Sequence, residues 1–205
     1  MGAGGAAGGA GGAGGAGITG DGISSEAAAL SQQDILTVTG NPQDLDAKDL
    51  AAAAAAVSRL ARAGNTQAAR LSQRFAEILR AKNSKYLYSQ PKQKSPRYVS
   101  LKTIGDCTSY RYFYNDTRRT ATMTKKANVL TFMTGSTRLV RKGGAKEQLS
   151  EAVILNKVPY VSEDDAKNLF QCDCEYLMGT SYGVCLPGTI EAEAEEIYNT
   201  LTGGE

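Results

Sequence analysis

Between Asn41 and Asn83 the chain carries two amphipathic helical patterns broken by a single glycine, and no other stretch constrains the fold as strongly. "NPQDLDAKDLAAAAAAVSRLARAG" offers Asn41 as a helix cap, with Pro42 at the first helical position. Asp44, Asp46 and Asp49 sit near the positive end of the helix dipole, and Arg59 and Arg62 near its negative end. Gly64 supplies the left-handed residue that ends the helix. "NTQAARLSQRFAEILRAKN" restarts at once from Asn65 or Thr66, with Leu71, Phe75, Ile78 and Leu79 as an apolar stripe. Two helices so closely joined form an αα-hairpin.

Around the hairpin the texture changes. Residues 1–40 open with seventeen residues that are all glycine or alanine apart from Met1, which bury too little to repay the entropy of ordering. This part is expected to be a flexible arm, with Ile35–Thr39 extended or a short strand. Residues 84–97 place Pro91 and Pro96 among lysines and read as an extended connector. Residues 98–205 read as a small α+β domain with a mixed or antiparallel sheet. Strands are expected near Tyr98–Ile104, Ser109–Tyr114, Val129–Thr134 and Thr137–Arg141. "AKEQLSEAVILN" from Ala145 predicts a short helix, and Ser162 with Asp165 caps another. The cysteine-rich stretch from Phe170 predicts strand and turn, and "TIEAEAEEIYNTL" a closing acidic helix.

Two absences bear on function. The 205 residues include no histidine, which excludes Ser-His and Cys-His catalytic pairs and imidazole metal ligands. No paired-acid motif, phosphate loop or nucleophile elbow stands in their place, so the chain reads as non-enzymatic. No leucine-type leader or apolar run of membrane-spanning length occurs, which predicts a soluble, intracellular protein in the cytoplasm or an organelle interior.

The net charge of +2 conceals a segregation. Residues 1–58 carry −5, residues 59–146 carry +17 and residues 147–205 carry −10. Folding does not require such a pattern, and it points to an acidic partner for the middle segment, unless the acidic end folds back and neutralises it. Within that segment, Tyr110, Tyr112 and Tyr114 fall on one face of a strand, with Arg111 and Phe113 on the other. Arg118, Arg119, Lys125, Lys126, Arg138 and Arg141 extend the basic set. These residues are the candidate contacts. Tyr and Arg anchor protein interfaces, and they also stack bases and neutralise phosphates in single-stranded nucleic acid. A tyrosine stripe can instead simply cover the sheet. The Asn115 sequon carries no weight without secretion.

Cys107, Cys172, Cys174 and Cys185 leave several chemistries open. Cys172 and Cys174 share a strand face. Zinc would need Cys107 to fold against the other three, or a carboxylate such as Asp173 to assist. The cysteines read as reduced, mostly buried and packed as small apolar residues with no cofactor, and a disulfide to Cys185 and a covalent tetrapyrrole or lipid are the alternatives.

In composition the chain resembles basic linker polypeptides such as those that organise phycobilisomes, over no alignable stretch. The resemblance implies a scaffold threaded between acidic protein subunits, with bilin carried on a cysteine. The alternative is a nucleic-acid-binding or ribosome-associated protein that uses the same face.

Overall fold

The computed structural model describes residues 25–91 and 97–204. The glycine-alanine stretch and the middle of the connector, Pro96 included, lie outside the described residues. Helices α1 (Ser25–Ala29), α2 (Gln32–Thr39), α3 (Ala47–Arg62) and α4 (Thr66–Ala81) come first. Then follow β1 (Leu87–Ser89), β2 (Tyr98–Ser100), α5 (Leu101–Cys107), β3 (Arg111–Asn115), β4 (Thr120–Lys125), β5 (Asn128–Met133), β6 (Arg138–Arg141) and β7 (Lys146–Gln148). The chain closes with β8 (Ile154–Asn156), β9 (Val158–Ser162), α6 (Glu163–Phe170), β10 (Cys172–Tyr176), β11 (Tyr182–Pro187) and α7 (Gly188–Thr202). The fold is α+β, and its sheets, in the orders β1-β11-β10, β2-β9-β8 and β3-β4-β5-β6-β7, are antiparallel throughout.

Helix α3 is the axle of the structure. Its six consecutive alanines, Ala51 to Ala56, are all fully buried, so every face of the helix is covered. Side chains this small let α4, α7, β10 and β11 approach the same helix from different sides. The αα-hairpin is present as expected, with Asn65 as the α4 cap accepting from the Ala68 amide at 2.8 Å. Helix α3 starts later than Asn41 and Pro42 suggest. The Asp46 carboxylate caps it instead, accepting from the Lys48 and Asp49 amides at 2.8 Å each. A carboxylate is the stronger acceptor at a helix start.

Three local expectations fail, each against a stronger competitor. Ile35–Thr39 is helical, because Ser31 and Asp34 form a reciprocal capping box and Ile35 is fully buried. Residues 25–40 therefore contribute two helices, and Ala27 and Ile35 join the core. The strand begun at Tyr98 stops at Ser100, whose hydroxyl caps α5 by accepting from the Thr103 amide. In α5, Gly105 is required: a Cβ there would lie 2.8 Å from the Tyr112 Cβ. The helix expected from Ala145 is strand and loop. Gly143 and Gly144 take positive φ and turn the chain back so that β7 pairs with β6, and Ser150 is drawn to the Asp165 carboxylate. Helix α6, capped by Ser162, the β10–β11 hairpin and α7 form as the sequence predicts.

Candidate binding face and cysteine cluster

The sheet β3–β7 has a dry face and a wet face. Ala121, Met123, Leu130, Phe132 and Leu139 point into the core at 0–1 % exposure. By register, Tyr112 lies opposite Met123 and Tyr114 opposite Ala121, so the tyrosine face is the inner one. Tyr110 packs edge-on against Phe170 at 4.9 Å between ring centroids, and its hydroxyl accepts from the Asn128 side chain. The Tyr112 and Tyr114 hydroxyls are buried without a partner among the described residues. Burial above all, then Tyr114 and Asp106, pushes the Tyr112 phenol up to about 12.

The outer face follows from the same register. Phe113, Thr122, Thr131 and Val140 form a continuous row across four strands. Arg111, Thr124 and Val129 lie on one side of it, and Asn115, Thr120 and Met133 on the other. Phe113 is 64 % exposed and Met133 52 %. Exposed Arg118 and Arg119 lie at the β3–β4 turn, and the Arg119 carbonyl accepts from the Thr134 amide in the β5–β6 turn, just before exposed Arg138. Lys125 and Lys126 lie at the opposite end. There the Lys125 ammonium sits 5.4 Å from the Tyr110 ring centre.

The sequence candidates therefore divide. Arg111, Arg118, Arg119, Lys126 and Arg138 are exposed, whereas the three tyrosines are turned inward. Arg141 is half-buried and paired with Glu147 at 2.6 Å. The residues missed are the threonines of β4. Their period-two spacing in "TATMTK" was a legible strand signal.

Within the acidic C-terminal segment, Glu147 pairs with Arg141 on the sheet and Asp173 with Lys167, whereas Glu175, Glu191 and Glu193 find their cations on α3. Glu191 and Glu175 bind Arg59 at 2.6 and 2.9 Å, Glu175 also binds Arg62, and Glu193 binds Lys48 at 2.7 Å. All three cations belong to α3. Helix α7 packs on α3, and among the described residues none of its acids pairs with a cation of the β3–β7 sheet.

The cysteines regroup. Cys107, at the end of α5, reaches Cys172 and Cys185, and the three sulfurs lie within 4.8 Å of one another. Cys107 and Cys185 are 3.0 Å apart at sulfur. Gln171, in the left-handed conformation at the end of α6, turns the chain so that Cys172 enters the core. Cys107 is 9 % exposed, and Cys172 and Cys185 are fully buried. Cys174, directly across from Cys185 in the β10–β11 ladder, stays outside the trio. The Cys172 thiol is pulled down to about 4 because the Cys107 and Cys185 thiols can turn to its sulfur. Cys107 is pushed up, first by its bond to Cys172 and further by burial. Cys185 moves up through its hydrogen bonds with Cys107 and then Cys172, and through burial.

Compared with protein-family models, curated proteins and solved structures, the chain matches none. Among the described residues no helix is long and apolar enough to cross a membrane.

Proposed function

We propose that this chain is a non-enzymatic binding subunit that docks the outer face of its five-stranded sheet onto an acidic surface of a partner protein within a larger assembly. One observation carries the reading. Exposed Phe113, Met133 and Val140 lie among Arg111, Arg118, Arg119 and Arg138, and no acid of α7 among the described residues is paired to those arginines. Apolar anchors within a ring of arginine suit a protein interface, where the apolar centre excludes water and the charges select and steer. A nucleic-acid strand would call for a row of stacking platforms. The three tyrosines that could have supplied one are packed inward, which leaves Phe113 alone on the face. That disposition favours protein over nucleic acid.

A native pull-down of the full chain at low salt tests this reading, with and without nuclease and with wild type beside an Arg111→Glu/Phe113→Ala variant. Acidic proteins should be retained in fixed ratio after nuclease and lost with the variant. Retention that vanishes with nuclease transfers the face to nucleic acid. Retention unchanged in the variant assigns binding to another surface.

A further inference from the structure

Three thiols from three separate elements converge in the core. Cys107 ends a helix, Cys172 opens an edge strand and Cys185 lies in the central strand of the same sheet. Apolar packing does not need this arrangement, because a buried cysteine performs as a small hydrophobe beside any aliphatic neighbour. We propose that Cys107, Cys172 and Cys185 form a three-sulfur site for a thiophilic metal ion of the copper(I) class.

Geometry sets the class. Metal–sulfur bonds of about 2.3 Å from three ligands in a plane would hold the sulfurs about 4 Å apart. The trio already lies within 4.8 Å, and the 3.0 Å Cys107–Cys185 pair has to open by about 1 Å around an ion. A structural zinc ion takes four ligands as a rule. Here no histidine exists, no carboxylate joins the trio among the described residues, and Cys174 lies outside it. All-sulfur, three-ligand surroundings select a soft monovalent ion instead. Binding changes no oxidation state. Any thiol that still carries its proton releases it to solvent as its sulfur takes the metal. Because the ligands come from α5, β10 and β11, the ion would also tie α5 to the sheet and add to stability.

The test is an anaerobic titration of the reduced full-length chain with copper(I), read by thiolate-to-metal absorption in the ultraviolet and by the thermal midpoint. Wild type should saturate at a single equivalent and melt higher. Cys107→Ser, Cys172→Ser and Cys185→Ser should each lose the saturable absorption, and Cys174→Ser should keep it. Absence of a saturable band in wild type overturns the site. Loss of the band in Cys174→Ser as well makes it a four-sulfur centre and overturns the three-sulfur assignment. A Cys107–Cys185 disulfide found by peptide mapping of anaerobically purified protein also overturns it. A buried serine can unfold a core, so the wild-type titration decides first and alanine variants repeat the comparison.

Discussion

Arg59 and Glu175 are 116 positions apart in the chain, yet the guanidinium Nε meets the carboxylate at 2.9 Å and joins the helical hairpin to the β10–β11 sheet. Glu175 is only 6 % exposed and also binds Arg62. Removing its charge would leave two arginines facing a dry carboxylate position. Glu175→Ala should therefore cost about 3 kcal/mol, at the low end for breaking a buried pair because both arginines retain some solvent. Lys48→Ala breaks a pair that is half in water and should cost far less. Urea midpoints at constant slope measure both, and equal effects would contradict the burial argument.

On β3, neighbouring residues should respond in opposite ways. Phe113→Ala removes a side chain that stands in water and should leave the urea midpoint nearly unchanged. Tyr112→Phe removes a buried hydroxyl without a partner and should stabilise by up to about 1 kcal/mol, since an unsatisfied polar group carries a desolvation penalty. The titration supplies a second readout. The folded state holds the Tyr112 proton up to about 12, above the ordinary phenol value of 10.0, so this group's contribution is intact below pH 10 and lost as pH rises toward 12. Tyr112→Phe should abolish that part of the alkaline decline.

What the sequence could and could not disclose follows from the range of the forces involved. Local signals were read correctly: the Asn65 and Ser162 caps, the Gly64 break and the alternation that puts Cys172 and Cys174 on a strand. Alternation also told which residues of β3 share a face. It could not tell which face is inward, because Tyr and Phe with Arg both make acceptable dry or wet partners until the core is assembled. Ile35–Thr39 misled because β-branched content outweighed the capping-box spacing of Ser31 and Asp34. The stretch from Ala145 misled because its partners, β6 and Asp165, are supplied by other segments. Cys107 could not be assigned to Cys185, 78 positions away, because that meeting depends on how α5 lies against β11.

Glu163 gives the structure a pH dependence near neutrality. Burial chiefly, with Glu175 and Asp164, raises its carboxyl to about 7, against the opposing pull of Arg97 and Arg62. Because the folded-state value lies above the ordinary 4.5, the folded state holds the proton more tightly. Its stabilising contribution is full below pH 4.5 and lost as pH rises through 7. The difference in stability between wild type and Glu163→Gln should therefore shift against wild type between pH 5 and pH 8. A difference that stays constant across that range would place the carboxyl in water.

Asn65 ties the first helices to the rest of the chain. Its side-chain amide donates to the Ala27 and Leu30 carbonyls at 2.8 and 3.0 Å, while its oxygen accepts from the Ala68 amide. At 1 % exposure no water can replace these partners. Asn65→Ala would remove the α4 cap and both bonds that the side-chain amide donates, for a cost of about 2 kcal/mol or more. Asn65→Asp keeps an acceptor for the cap but has no N–H to offer. It should hold α4 while releasing residues 25–30. Amide hydrogen exchange separates the two roles: in Asn65→Asp, protection should fall around Ala27 to Leu30 and persist in α4. Protection that persists from Ala27 to Leu30 would mean that α1 is held by its apolar contacts and not by Asn65.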